Sequence, residues 1–264
     1  MPTKWTQQEI ILLQNVYTQT SPKDLEGLFP EKRKSQIQLK ANSLGLRLRD
    51  TRNLERLLDG SLISLYWIGF ILADGWLTSH YGQKQRHVFG ISLSEKDIDH
   101  VRSLSEYINV PYKVYTRNTL HKKQYQYGNI SVNDNTVVPL LKAKFSITND
   151  KTHSPPSLSS YDMSAVELMA LIIGYIDGDG SIVTRSGGRA AISIQCAIEW
   201  RENLELINSH IAYHLNHKTQ NKVSVNGRNH ATLMISHQGL LRDLKTFATY
   251  HSLPIMERKW CRIH

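Results

Sequence analysis

One ten-residue segment occurs twice in this chain, and that repeat limits the fold more than any other feature. Tyr66-Trp-Ile-Gly-Phe-Ile-Leu-Ala-Asp-Gly75 returns as Leu171-Ile-Ile-Gly-Tyr-Ile-Asp-Gly-Asp-Gly180, so that Asp74 recurs as Asp179, 105 positions later. Each copy is apolar up to its last acid and carries two small residues four apart, Gly69 with Ala73 and Gly174 with Gly178. On a helix that spacing puts both on one face and lets two backbones approach closely. Packing the two copies against each other is the simplest use.

The same order of elements follows each copy. Alternating apolar residues predict hairpin strands near 76–81 and 87–94, then near 181–186 and 189–196, with Ser186-Gly187-Gly188 as a turn. Helices are expected at about 97–108 and 199–214. Second hairpins follow at Tyr112–Arg117 with Tyr125–Val132, and at Lys222–Asn226 with His230–Ser236, the latter through an Asn-Gly turn. The expected fold class is α+β: two pseudo-symmetric αββαββα repeats, 62–160 and 161–264, in one monomeric chain.

Residues 1–50 read as three short helices. Trp5, Ile10, Leu13, Val16 and Tyr17 form a helical stripe, Ser21-Pro22 opens a second helix with Leu25 and Leu28, and a third spans about Lys34 to Leu44. Ile37, Leu39 and Ala41 are its expected core, and Gly45 ends it as a C-cap glycine. The leading Trp, the Tyr a dozen residues on, Phe-Pro, a basic run and Ile-x-x-Lys-Ala-x-x-Leu-Gly-Leu resemble Myb-like helix-turn-helix modules. That resemblance makes the third helix a DNA reader, with Lys32, Arg33, Lys34, Ser35, Gln36, Gln38 and Lys40 on or beside it. A bundle for protein contacts is the alternative. Residues 51–61 are expected to be a linker. Arg47, Arg49, Arg52 and Arg56 give 47–60 a basic character that suits a phosphate backbone, or a solvated helix.

Composition narrows the partner. Lys and Arg outnumber Asp and Glu by 32 to 23, a formal charge of +9, which suits a polyanion, nucleic acid before anionic membrane. The longest apolar stretch, Leu62 to Ala73, is too short to span a bilayer. There is no secretory pattern at the N-terminus, and Cys196 and Cys261 alone support neither a disulfide framework nor a structural zinc site. An intracellular site, cytoplasmic or organellar, is expected.

Asp74 and Asp179 end apolar helices, where the helix dipole already concentrates negative charge. If the helices pair, these acids and the last carbonyls, of Ala73 and Gly178, converge into an all-oxygen cluster that a hard divalent cation would relieve. Helix-ending acids with no metal are the other reading. Both segments resemble the signature of the LAGLIDADG homing endonucleases in their single-chain, two-motif form, over about residues 62–264. The first copy departs at its sixth position, where Leu72 replaces the usual Asp.

That resemblance implies two four-stranded antiparallel sheets forming a saddle over the DNA major groove, with Asp74 and Asp179 binding magnesium or manganese between the scissile phosphates of a long asymmetric duplex. Cleavage would leave short 3′ overhangs. It further implies Glu95 as a water-positioning residue with Gln195 as its counterpart, and His237 at the place of a family lysine, with Asn133-Asp134 standing there in the first repeat. An intron RNA-splicing maturase, binding host intron RNA, and a non-cleaving DNA-binding regulator of the same fold are the alternatives. Period-two reading puts Phe89, Ile91 and Leu93 on one strand face and Gly90, Ser92 and Ser94 on the other, and opposes Ile192 and Ile194 to Arg189, Ser193 and Gln195. Candidate groove contacts are Lys113, Tyr115 and Arg117, Arg185 and Arg189, Lys218, Gln220 and Lys222, and Arg228, any of which could instead be a solvated residue.

Overall fold

The computed structural model describes residues 4–17, 20, 22–46, 52–80, 85–118, 124–218, 221–227 and 229–264. The chain divides into two compact units, 1–52 and 53–264. Arg47, Arg49, Gln220 and Arg228 lie outside the described residues.

The first unit contains α1 (Gln7–Val16), α2 (Pro22–Leu28) and α3 (Lys34–Ser43). Thr6 and Glu9 form a capping box at the start of α1, satisfying two of its otherwise unpaired amides. Leu13, Tyr17, Leu25, Phe29, Ile37 and Ala41 form the core, with Trp5 and Leu44 against it. Leu39 and Leu28 are not part of it: they are 69% and 45% exposed. The 3.6-residue period explains Leu39, since Ile37, Ala41 and Leu44 share a face that it does not. Gly45 ends α3 at φ +71°, with Leu46 N–H bonded to Ala41 O and Gly45 N–H to Asn42 O, the left-handed ending that glycine adopts without strain.

The second unit begins earlier than the sequence indicates. Leu54 and Leu57, on a short 3-10 turn at 54–58, are buried in its core, and Arg56 donates to Tyr107 O while lying over the Tyr107 ring. Residues 54–58 are thus packed structure and not a free basic linker. Apolar side chains here outweigh the surrounding charge, because burying two leucines is worth roughly 3–6 kcal/mol.

Each repeat is then laid out in the same order. The first comprises α4 (Leu62–Asp74), β1 (Gly75–His80), β2 (Arg86–Ser94), α5 (Ile98–Ile108), β3 (Lys113–Asn118), β4 (Gln124–Asn133) and α6 (Val137–Lys144). The second comprises α7 (Ala165–Asp179), β5 (Gly180–Thr184), β6 (Ala190–Ala197), α8 (Arg201–His214), β7 (Val223–Asn226), β8 (His230–Ile235), α9 (Gln238–Tyr250) and a short α10 (Glu257–Trp260). The antiparallel sheets run β1-β2-β4-β3 and β5-β6-β8-β7. In register, Gly75 faces Ile91 and Gly180 faces Ile194, so the repeats align here with an offset of 103. Phe89, Ile91, Ile130 and Val132, and Ile192, Ile194, Leu233 and Ile235, point to the helices; alternate residues form an open face.

The helices α4 and α7 are buried all round and pack on each other. At Gly69 a Cβ would lie 1.8 Å from Leu171 O, and at Gly174 1.9 Å from Tyr66 O, so backbone meets backbone at both crossings. Gly75 and Gly180 do not share the left-handed, helix-ending conformation of Gly45. Their φ angles are −80° and −78°, and the chain runs straight from helix into strand, where a Cβ would strike Ile71 or Ile176 of the preceding turn. Gly69→Ala or Gly174→Ala should therefore destabilise the fold by about 3 kcal/mol or more. Chemical denaturation measures it, and a loss below about 1 kcal/mol would mean the crossing yields easily.

Candidate active site and nucleic-acid interface

The tight crossing brings the C-terminal ends of α4 and α7 together. A Cβ at Gly178 would sit 2.2 Å from Ala73 Cβ and 3.5 Å from Asp74 N, so glycine is what lets the two acids converge. The side chains of Asp74 and Asp179 reach solvent, and Asp179 lines a recess walled by protein. Loss of hydration is the main force raising the Asp74 pKa, from 3.8 to about 6, with the Asp179 charge second. Asp179 is raised as well, by loss of hydration, against the lowering effects of Tyr175, Lys151 and Lys259.

Those two lysines are the residues that sequence reasoning missed. Lys151 Nζ donates to Leu72 O at 2.6 Å and Ala73 O at 2.5 Å; Lys259 Nζ donates to Asp177 O, to Gly178 O at 3.2 Å and to Gly180 O at 2.7 Å. Each thus supplies the cation that a helix C-terminus favours. The pairing is crossed. Lys259 sits on the end of α7 but is the stronger lysine influence on Asp74, and Lys151 sits on α4 but is the stronger on Asp179. Both amines are pushed below the usual lysine range by burial.

Gln195, Lys151, Thr152 and Cys196 line one recess of about 230 Å³ with Asp179 and Ala73. Gln195 is therefore at the site, though not as the partner of Glu95. The offset of 103 matches Gln195 with Ser92 and Glu95 with Ile198, because the strands and not the motif set the local register. Glu95 is exposed at the start of the 3-10 turn 95–97, and Asp97, two residues on, is the acid whose charge acts on Asp74. Asp97 is held by Arg258 at 2.7–2.8 Å. His237 has a different task from the one expected: its Nδ1 accepts from Leu240 N–H at 3.1 Å and caps α9. Asp134 does the same for α6, accepting from Thr136 and Val137 N–H. Cations near the acids come instead from beyond the following helix, at Lys151 and Lys259. The recurrence of one lysine after the last long helix of each repeat, 108 positions apart, was the available signal.

The open faces of the sheets carry the candidate groove contacts. On the first sheet Lys113 faces Asn129, Tyr115 faces Tyr127 and Arg117 faces Tyr125 across the strands, beside Arg86, Val88, Gly90, Ser92 and Ser94. Tyr115 and Tyr127 stack at 5.5 Å, and the Trp76 indole lies across Gly90, filling the space a Cβ would need. On the second sheet Ser181, Ser193, Gln195, Ser224, Asn226, Thr232 and Met234 share the open face. No Asp or Glu lies on either face among the described residues. Arg185 and Arg189 are exposed in the β5–β6 connection, Arg185 donating to Met234 Sδ. Lys218 and Lys222 are exposed, but β7 starts only at Val223, so they precede the strand and do not alternate along it.

In the first unit, Arg33, Lys34, Ser35, Gln38 and Leu39 line a shallow groove of about 710 Å³ along α3. Lys32 turns the other way: it is buried, ion-paired to Glu9 at 3.1 Å, bonded to Lys4 O and set over the Trp5 ring, so it is removed from the candidate contacts. Gln36 Oε1 accepts from Arg33 N–H at the start of α3, and Lys40 is half-buried at the edge.

No family model and no curated protein matches the chain. Among solved structures, the homing endonuclease I-WcaI bound to its DNA recognition sequence is similar with a TM-score of 0.57 at 13% identity, over 91% of this chain and 97% of its own. A point mutant of I-SmaMI gives 0.51 at 10% identity, over 75% and 89%. The fold is that of the LAGLIDADG homing endonucleases. Within that saddle fold the two acids occupy the ends of the central helices, and the sheets present open faces on which no carboxylate lies among the described residues.

A carboxyl whose folded pKa is raised adds stability at low pH that is lost as pH rises through the folded value. With no divalent cation present, ionised Asp74 therefore penalises the folded state above about pH 6. Asp74→Asn should raise the Tm in EDTA at about pH 8, with the gain shrinking as pH falls toward about 4. Thermal unfolding across this range tests it; a Tm at pH 8 equal to or below wild type would contradict the crowding at the helix ends.

Proposed function

We propose that this protein is a site-specific DNA endonuclease acting with a divalent cation. The observation that carries the reading is the meeting of Asp74 and Asp179 at the crossing, each beside a lysine, between sheets whose described open faces hold Lys, Arg, Tyr, Ser and Asn but no carboxylate. Such faces suit phosphate and base edges, where an acid would repel. A non-cleaving binder would gain nothing from two acids facing phosphates.

The donor set fits a hard cation: two carboxylates with raised pKa values, and the carbonyls of Ala73 and Gly178, each already accepting one lysine hydrogen bond and retaining a second lone pair. Bound there, magnesium or manganese would activate water and stabilise the leaving oxygen. The chain's own groups supply the rest. Lys151 and Lys259 place positive charge where the phosphate gains negative charge, and Gln195 can orient a water beside Asp179. Two unequal repeats in one chain favour a monomer on a long asymmetric duplex, with short 3′ overhangs and an intracellular or organellar setting. No helix among the described residues is long and apolar enough to cross a membrane.

The target can be found by selecting bound duplexes from a randomised library and incubating them with magnesium while sequencing the ends. Wild type should cut at one position per strand. Asp74→Asn or Asp179→Asn should abolish double-strand cleavage and keep or strengthen binding. Full cutting by either variant, or none by wild type, would overturn the assignment.

The first unit is proposed to add affinity through Arg33, Lys34, Ser35 and Gln38. Removing residues 1–52 should weaken binding by roughly 10²-fold and flatten its salt dependence without moving the cut. Footprinting and end-mapping decide this: an unchanged footprint means that the unit serves another partner.

A further inference from the structure

The sixth motif position differs between the repeats: Leu72 in the first, Asp177 in the second. Asp177 is wholly buried, and its carboxylate accepts from three groups: Trp260 Nε1 at 2.6 Å, Met256 N–H at 3.0 Å and the Tyr66 hydroxyl at 2.6 Å. Tyr66, which lies on α4, is bonded in turn to His100 Nε2 at 3.1 Å. Because the Tyr66 proton is directed at Asp177, the imidazole must be the donor in that pair.

A buried carboxylate is costly without such partners, and Leu72 shows that the other copy of the helix does without one. What it accomplishes is visible in the partners. Met256 precedes α10 and Trp260 ends it, so one side chain holds both ends of the short segment that carries Lys259. The lysine then folds back over the carbonyls of Asp177, Gly178 and Gly180. In the first repeat the lysine is held by other means, its backbone carbonyl accepting from Trp200 Nε1 at 3.0 Å. The two lysines are therefore tethered by unrelated contacts.

We propose that Asp177 is a positioning residue for the hydrolysis of one DNA strand, seating α10 through Met256 and Trp260 so that Lys259 is held at the Asp74 side of the site. This rests on the endonuclease reading. Arg258, next to Lys259 on α10, pairs with Asp97 of the first repeat at 2.7–2.8 Å, which places the segment on the Asp74 side of the site. Loosening α10 falls most heavily on the half beside Asp97 and Asp74, while Lys151 and Gln195 stay in place beside Asp179.

The test uses the full chain with magnesium and the selected duplex, each strand labelled differently, under single-turnover conditions. Asp177→Asn should slow one strand roughly 10- to 100-fold relative to the other, and it should be the strand slowed by Lys259→Ala. Duplex affinity should stay within about twofold, since ground-state binding is not at issue. Trp260→Phe removes one donor while keeping the ring packing, and should bias the same strand to a smaller degree; it keeps the test decisive if Asp177→Asn folds poorly. Equal slowing of both strands with a lowered Tm would show a purely structural role, and no slowing by Trp260→Phe would also overturn the proposal. Failure of wild type to cut at all would instead overturn the endonuclease reading, and is seen before any variant is compared.

Discussion

Everything in the larger unit depends on the backbone contact between α4 and α7. With a hydrogen in place of a methyl at Gly69 and Gly174, the helices approach until carbonyl oxygens occupy what would be side-chain space. That closeness puts the two C-terminal ends side by side and, through Gly178 against Ala73, makes the acids neighbours. Packing density and chemistry are here one constraint: the contact that holds the repeats together also concentrates the negative charge that must be neutralised.

The neutralisation is partial. Lys151 and Lys259 satisfy helix-end carbonyls that would otherwise be unpaired, and their charges act on the acids at the same time. Loss of hydration still keeps Asp74 raised with the lysines in place. The surroundings of the two acids have diverged: Gln195, Cys196 and Trp200 beside Asp179, and the Asp97–Arg258 pair near Asp74.

Much of this was legible in the sequence, and the rest was hidden for definite reasons. Repeats, strands and the sheet faces follow from local periodicity, which is why Phe89, Ile91 and Leu93 fall on the inner face as expected. The acids followed from position within a repeated helix. What escaped were contacts between residues far apart in sequence: Lys151 on Ala73, Lys259 on Gly178, and Lys32 folded onto Glu9. Composition marks each as one more basic residue, and only the packed structure shows which turn inward. Asp177 was hidden in a different way, since its motif position was visible while its partners lie some 80 residues away. His237 does stand opposite Asp134, 103 positions on, but that both would cap the next helix was not visible in the sequence; Gln195 was set against Glu95 at an offset of 100, whereas the strands run at 103.

The passage from helix to strand at Gly75 and Gly180 contains no loop. Each acid is therefore covalently adjacent to the first residue of a strand whose later residues face the open side of the sheet. Any tilt of a sheet as it accommodates a new surface is transmitted to the acid without slack. Divergence of the interface is thus freest in β3 and β7, at the outer edges, where the strand furthest from the central helices can change its residues and its twist while the helix ends stay where they are.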